Sequence, residues 1–406
     1  MPAESSRGAA AGPRLFPIVL AGFTAFLDLY ATQPLLPLLM RVFDASHFAV
    51  SLTITATTIA VALAAPIVGR LADLIGRKRV IVGSAFLLTA ATALAATSTS
   101  LNQFIGWRFA QGLVTPGIFA ITIAYVQDEW PPSHAGRATA AYVSGTVIGG
   151  FCGRALVGLV AADLSWRAGF VALACANLVA AALLAMFLPT ESRRAAPKPH
   201  GHGHSITRLL SNRRLIATDL VGFCVLFTQV AMFSYVTFHL NAPPYNLTTA
   251  ALSWLFVVYL VGAMILPFAG HWIDARGHRV ALALGMTGGG LGALLTLTPP
   301  LALIVIGLAL VGTGVFIAQA TASSYIGTVT SEDRGLAVGL YSTAYYAGGS
   351  VGGALPALFW ESGGWTACVL LVMLVQTATA ALALTFWKAT DATRHPPSLQ
   401  SPAAGV

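Results

Sequence analysis

The stretch Gly69-Arg70-Leu71-Ala72-Asp73-Leu74-Ile75-Gly76-Arg77-Lys78 returns 201 residues later as Gly270-His271-Trp272-Ile273-Asp274-Ala275-Arg276-Gly277-His278-Arg279. Two further landmarks keep nearly the same register. Gly149-Gly150 matches Gly348-Gly349, and Trp166 matches Trp365, each at an offset of 199. Register held across so many landmarks makes the chain a tandem of two like-oriented halves, and each copy of the ten-residue stretch follows the second long apolar run of its half.

Those apolar runs are the rest of the chain. Of 406 residues, 56% are hydrophobic and only 9% charged, with a mean hydropathy of +0.77. A water-facing surface needs about a quarter charged residues, so lipid is the main solvent here. A hydrocarbon core about 30 Å thick takes about 20 apolar residues in a helix. Twelve runs of that kind can be read, over about 15–37, 49–70, 79–98, 102–127, 137–162, 166–189, 215–240, 249–271, 279–297, 300–324, 335–359 and 364–387. None alternates in polarity as the strands of a membrane β-barrel do. The expected fold class is therefore an all-α membrane protein whose 12 transmembrane helices form two pseudo-symmetric six-helix bundles. The domains read as a tail (1–14), a first bundle (15–189), a linker (190–214), a second bundle (215–387) and a second tail (388–406).

The formal charge of +8 invites a nucleic-acid reading until the cations are placed. With the N-terminus inside, 18 of the 22 Lys and Arg residues fall on the inner side, among them Arg77, Lys78, Arg79, Arg137, Arg213, Arg214 and Arg279. That is the positive-inside pattern of a protein with both termini cytoplasmic, in the inner membrane of the cell, and it removes the case for nucleic acid. Cys152, Cys175, Cys224 and Cys368 all lie in apolar runs and suggest neither disulfides nor zinc. His200, His202 and His204 sit in the linker and are assigned no metal. No Gly-x-x-x-x-Gly-Lys-Ser/Thr loop occurs, which disfavours energy from bound ATP. No cofactor is expected, with a proton gradient as the energy source.

The loop from Gly69 to Lys78 resembles the signature between the second and third helices of the major facilitator superfamily. Arg108-Phe109-Ala110-Gln111-Gly112 resembles that superfamily's fourth-helix motif. Gly145-Thr146-Val147-Ile148-Gly149-Gly150-Phe151-Cys152-Gly153-Arg154 is similar to the glycine-rich fifth-helix motif of its antiporters, with Gly149-Gly150 and Gly153-Arg154 where Gly-Pro and then Gly-Gly are usual. Asp28 with Pro34 and Pro37 is similar to the first helix of the drug-proton antiporter and sugar-efflux branch. The resemblance implies the major facilitator fold, rocker-type alternating access, and a central pathway lined by the first and fourth helices. By the same resemblance the gating motif comprises Gly69, Asp73, Gly76, Arg77 and Lys78, with Asp274 and Gly277 in the second copy, and its first copy holds the inner gate shut when the cavity faces outward. A carboxylate at Asp73 or Asp274 can cap a helix and pair with Arg77 or a neighbouring cation. The fifth and eleventh helices are implied to meet between the halves, so the flanks carrying Gly145, Gly149 and Gly153, and Gly348 with Gly352 and Gly349 with Gly353, become sliding surfaces.

Ionisable groups at membrane depth are candidates for function by default. Within the spans these are Asp28, Arg108, Arg154 and, near an inner end, Asp219. At 1.5 Å per residue, Asp28 lies about 20 Å above the inner end of its span and Arg108 about 10 Å below the outer end, so the two share a level, with Arg154 in reach. Thr24, Asp28 and Thr32 form one stripe, and Arg108, Gln111 and Thr115 another. The expectation is a charge cluster facing a water-accessible hollow. Three roles stay open: Asp28 and Arg108 as the proton-coupling pair, a static ion pair between them, or an anion site at Arg154. From the second half, Gln229, Tyr235, Gln319, Ser323, Tyr341 and Tyr345 are expected to complete a pocket for a moderately amphipathic molecule.

The functional expectation is a secondary transporter, not an enzyme, exporting a small drug-like or sugar-like organic molecule in exchange for protons. The alternatives are a proton-coupled symporter or an organic-anion exchanger. A polytopic enzyme or a sensor fits least, since no nucleophile with a base, no metal cluster and no extramembrane domain can be found. The expected partners are the substrate, protons and the lipid bilayer, with the protein acting as a monomer.

Overall fold

The computed structural model describes residues 15–191, 208–265, 276–330 and 334–388. Asp274, most of the linker and both tails lie outside them. The described residues form helices and turns with no strand, as apolar runs in lipid require, because a helix satisfies its own backbone.

Twelve spans run back and forth, six in each bundle. Eight are helices long and apolar enough to cross a membrane: His47–Ile75, Arg77–Ala96, Leu101–Glu129, His134–Asp163, Trp166–Phe187, Arg213–Asn241, Leu301–Val329 and Pro356–Phe386. The last contains a break at Gly363 and Gly364, the second of which has a φ of 59°. That break ends the eleventh span, which begins at Arg334, and starts the twelfth at 365. The ninth span is His278–Leu295, and the eighth is helical from Thr249 to Ile265.

The first span is the irregular one. It runs as an α-helix over Phe16–Leu27, turns through 28–32, tightens to a 3-10 turn over Gln33–Leu35 and resumes over Leu36–Val42. Pro34 and Pro37 cause this, since neither has an N–H to give to the preceding turn. The chain tightens instead: the N–H of Ala31 donates to Asp28 O and that of Gln33 to Tyr30 O, at 3.0 and 3.1 Å. Pro116 interrupts the fourth span in the same way, between Leu101–Val114 and Pro116–Glu129.

The repeat is visible in the packing. A Cβ on Gly145, Gly149 or Gly153 would strike the backbone of Val19, Phe23 or Leu27, so the fifth span lies directly against the first. A Cβ on Gly348 or Gly352 would strike Phe223 or Phe227, placing the eleventh span against the seventh in the same manner. These glycines are thus contacts inside each bundle rather than sliding surfaces, because small residues let the backbones approach, whereas Gly353 of the same helix faces Thr55 of the other bundle. Gly76 and Gly277, at matching places in the repeat, turn the chain with φ of 99° and 79°. An L side chain rarely adopts that conformation, which is why glycine stands at both.

At the end opposite the basic residues, the bundles are joined. Gln33 Nε2 donates to Ser234 Oγ at 3.1 Å, Arg41 Nη1 to Asn241 Oδ1 at 2.8 Å, and Thr55 Oγ1 to Ser350 O at 2.9 Å. The His47 ring rests on Phe238 and Trp360, at 4.8 and 5.4 Å between centroids. At the basic end the corresponding helix flanks stand apart. No described atom lies within 4 Å of a Cβ built on Gly69, Gly136, Gly335 or Gly339. Among the described residues, the two bundles therefore enclose a space closed at one end and open at the basic end.

Candidate functional site

A cavity of about 460 Å³ lies between the bundles. The first bundle supplies Phe26, Tyr30, Phe119, Tyr142 and Arg154, and the second Gln229, Tyr259, Phe316, Gln319, Ser323, Tyr341, Tyr345 and Tyr346. Gln229, Gln319, Ser323, Tyr341, Tyr345 and Arg154 thus reach the hollow anticipated for them. Tyr30, Tyr142, Tyr259 and Tyr346 were not anticipated, although the adjacent pair Tyr345-Tyr346 was a signal, because neighbours on a helix point 100° apart and cover a wide wall. The walls are aromatic: Tyr341 stacks on Tyr345 at 5.9 Å, and Tyr346 meets Phe119 from the other bundle at 5.6 Å.

Asp28 and its partners do not face this cavity. Phe26 and Tyr30 turn toward it, and Asp28, between them at the helix break, turns into the first bundle, where it is 1% exposed. Its carboxylate accepts from Thr92 Oγ1 at 2.7 Å, from Gln111 Nε2 at 3.4 Å, and from Asn177 Nδ2. Thr92 and Asn177 come from the third and sixth spans. Both were missed, although Asn177 is a lone amide in an apolar helix and stands out for that reason.

Arg108 departs further from expectation. No ion pair joins its guanidinium to the Asp28 carboxylate; Nη1 donates instead to Asp28 main-chain O at 3.0 Å, Nη2 to Leu29 O at 2.8 Å and Nε to Thr53 O at 3.3 Å. A further bond goes to Gln111 Oε1. The tightened turn after Leu27 sends the Gln33 N–H to Tyr30 O and so leaves Leu29 O without a helical donor, and a planar fork with five N–H groups can serve it together with Asp28 O and Thr53 O. Arg108 therefore clamps the break in the first span. Gln111 joins the two groups, giving Nε2 to Thr92 Oγ1 at 2.7 Å and to Asp28 while receiving from Arg108.

Three other expected cavity residues are packed elsewhere. The Thr115 hydroxyl is spent on Gln111 O at 2.7 Å within its own helix, and Thr32 is fully buried at the break. Tyr235 is fully buried, gives its hydroxyl to Gly353 O at 2.9 Å and packs against Phe238 and Trp360 in the closed end. Asp219 is half-buried, within the basic-end part of the seventh span.

Arg154 is the charge that does reach the cavity. Its Nε donates to Gln33 Oε1 at 2.8 Å and Nη1 to Gly150 O at 2.6 Å. The guanidinium carbon stands 4.8 to 5.1 Å from the ring centres of Phe256, Tyr259 and Tyr30.

At the basic end, the motif loop is held differently from the expected Asp73 pairing. Arg77 pairs with Asp128 and donates to Ala124 O, while Glu191 receives the N–H groups of Arg77 and Lys78 at 3.1 and 3.2 Å. Glu191 thus caps the third span, where free N–H groups favour an anion. Asp73 is exposed, and among the described residues it pairs with none.

The sequence of these two six-helix repeats matches one family description, Major Facilitator Superfamily, over residues 18–247 and again over 242–405. The chain belongs to the major facilitator superfamily. Among its relatives is YybF of Bacillus subtilis (strain 168), an uncharacterized major facilitator transporter, 34% identical over 361 residues that cover 88% of this chain and 89% of the relative. A chloramphenicol efflux pump of Mycobacterium tuberculosis is 28% identical over 302 residues, 70% of each chain. The crystal structure of a mutant of the nucleoside transporter NupG superposes with a TM-score of 0.76 at 13% identity, covering 92% of this chain and all of that one. At such identity the likeness concerns the fold alone. This major facilitator protein is a multi-pass membrane transporter and not an enzyme.

Proposed function

We propose that the chain exports a small organic molecule across the cytoplasmic membrane in exchange for protons, by alternating access and as a monomer, in the manner of the drug-proton antiporter and sugar-efflux branch. The observation carrying this reading is a central cavity open at the basic end and closed at the other by bonds between the bundles. The positive-inside rule assigns the basic end, with both termini, to the cytoplasm, so the cavity faces the side from which an exporter loads. Opening the far end breaks the bonds of Gln33, Arg41 and Thr55 across the halves. Closing the basic end brings the exposed Asp73 of the second span toward the start of the eleventh, which gives the motif loop its latch.

Asp28 is the proposed proton carrier, with Arg108 acting on it through the helix break. Protonation removes the charge to which Gln111 donates; Gln111 then shifts against Arg108, and Arg108 against the carbonyls of Asp28 and Leu29. No bound nucleotide or cofactor enters. The relative that exports chloramphenicol supports a drug-like cargo. The unpaired Arg154 supports a second reading, exchange of organic anions.

The test is transport in proteoliposomes with chloramphenicol, a sugar and an aromatic carboxylate, with and without an imposed pH gradient. One of these is expected to accumulate against its gradient in wild type when the pH gradient runs in the antiport direction. Asp28→Asn is expected to keep downhill exchange and lose the response to pH. Gradient-driven accumulation that persists in Asp28→Asn refutes Asp28 as the carrier, and accumulation only with the opposite gradient refutes antiport.

A further inference from the structure

Among the described residues, Arg154 is the one charged side chain on the walls of the cavity, and it is 3% exposed. Everything it touches is neutral: an amide oxygen, a main-chain carbonyl and three aromatic rings. Among the described residues no carboxylate lies within 4.0 Å of it. Asp28 offers no compensation, since its carboxylate is turned into the first bundle and occupied by three side-chain donors. Rings and carbonyls spread a guanidinium charge but do not cancel it. A lone cation in a low-dielectric wall is costly to keep, and an arriving anion removes that cost.

A second observation comes from the tyrosines. Tyr259, beside Arg154, and Tyr341, on the eleventh span, are 4% and 6% exposed, with the Gln229 and Ser323 side chains as their polar neighbours. Both side chains line the cavity. A tyrosine hydroxyl on a cavity wall is a donor that can serve an acceptor held on the neighbouring guanidinium. The route between the two tyrosines is aromatic, through Tyr345 and Tyr346.

The geometry points to an aromatic monocarboxylate as the substrate class, its carboxylate on Arg154 and its ring among the tyrosines. This rests on the transport reading above and specifies its cargo. One guanidinium with no other charge on the described walls selects a single negative charge, because a monoanion leaves the loaded cavity neutral and a dianion does not. Planar bidentate pairing favours the carboxylate fork. A cavity of about 460 Å³ falls in the usual range for small organic ligands.

The experiment is equilibrium binding to the purified, detergent-solubilised full chain, with 2-naphthoate, 2-naphthamide and 2-naphthylmethylamine as probes. They share a ring system and carry charges of about −1, 0 and +1. Naphthoate is expected to bind at least about tenfold more tightly than the amide, the factor a charge-assisted pair supplies, and the amine is expected to bind least. Arg154→Gln should bring acid and amide to equal affinity. Arg154→Lys, which keeps the charge and loses the fork, should weaken naphthoate while keeping the order of the three. Melting curves identify a variant that has not folded, and Arg154→Lys then carries the test alone. The proposal is overturned by an amide or amine that binds as tightly as the acid, by an acid preference that survives Arg154→Gln or is absent from Arg154→Lys, or by binding of none of the three. Binding is read without a gradient. Loss of the acid preference in a protein that still transports rejects only the substrate class, and an intact preference in a protein that fails to respond to pH rejects only proton exchange.

Discussion

Replacing Arg108 by alanine measures what its guanidinium holds. Of the three main-chain carbonyls it serves, Thr53 O keeps the Thr57 hydroxyl at 3.0 Å and Asp28 O keeps the Ala31 N–H at 3.0 Å. Leu29 O keeps nothing, because the tightened turn sends the Gln33 N–H to Tyr30 O. One stranded buried carbonyl costs about 1–3 kcal/mol, and the void left by a fully buried arginine adds about 2 kcal/mol more. The expected loss is about 3–5 kcal/mol. Asp28→Asn preserves volume and keeps one acceptor oxygen for Thr92 and Gln111, but sets an amide donor against Asn177, whose own amide must turn over, and is expected to cost about 1–2 kcal/mol. The decisive quantity is the double-mutant coupling, read from thermal or denaturant unfolding in detergent. If Arg108 serves the backbone, Asp28→Asn rescues little, and the coupling stays below about 1 kcal/mol. If the pair were a side-chain ion pair, removing Arg108 would strand a buried carboxylate, and Asn at 28 would recover most of about 3 kcal/mol. A double variant as stable as Asp28→Asn alone refutes the carbonyl clamp.

Two further outcomes follow from the packing. A Cβ at Gly149 would lie 2.7 Å from Phe23 Cα and 2.8 Å from Phe23 C, so Gly149→Ala should destabilise by about 1–3 kcal/mol, whereas Gly136→Ala, with no described atom within 4 Å, should not lower the melting temperature. A Cβ at Gly353 would lie 2.6 Å from Thr55 Oγ1, so Thr55→Cys with Gly353→Cys should cross-link under mild oxidant and arrest transport until reductant is added, and unimpeded transport by the cross-linked protein would show that the far end need not open.

The twelve spans were legible because lipid imposes a single strong demand, a long apolar helix, and because the repeat copies it twice. Span ends shifted by only a few residues. Residues 28–32, at the break in the first span, were not legible as a tightened turn. Pro34 and Pro37 announced irregularity, but where the chain would tighten depended on Arg108 arriving from the fourth span to hold the freed carbonyls. Depth arithmetic put Asp28 and Arg108 at one level, and they are adjacent there. It could not set their facing, since the 3.6-residue period that aims Asp28 is itself broken at that residue, where the helix that ends at Leu27 gives way to the turn. Arg154 sits in an unbroken helix, and its approach to the cavity was readable for that reason. The glycine flanks were misassigned because close approach is visible in sequence while the identity of the neighbour is not; Gly353 against Thr55 and Gly158 against Ser253 are the places where a glycine does meet the other bundle.

The tightened segment gives the two buried charge sites a mechanical connection that direct pairing would not. Arg108 fixes the carbonyls of Asp28 and Leu29; the next residue, Tyr30, lies under the Arg154 guanidinium at 5.1 Å, and Gln33, one turn on, accepts from Arg154 Nε. Gln33 also gives its amide to Ser234 across the bundles. The irregular stretch from Asp28 to Gln33 therefore carries, in order, the acid, the ring beneath the cavity's cation, and the amide that both orients that cation and closes the far end. A regular helix would turn these groups as one rigid face, whereas a break lets them move by different amounts, and interfaces so built switch between discrete arrangements. In the proposed exchange, a change of charge at Asp28 would be felt first by Gln111 and Arg108, then by the main chain, and so at the cavity and at the far-end closure together. The proposed carboxylate on Arg154 would act on the same stretch from the other side, and linkage requires that the two influences be reciprocal.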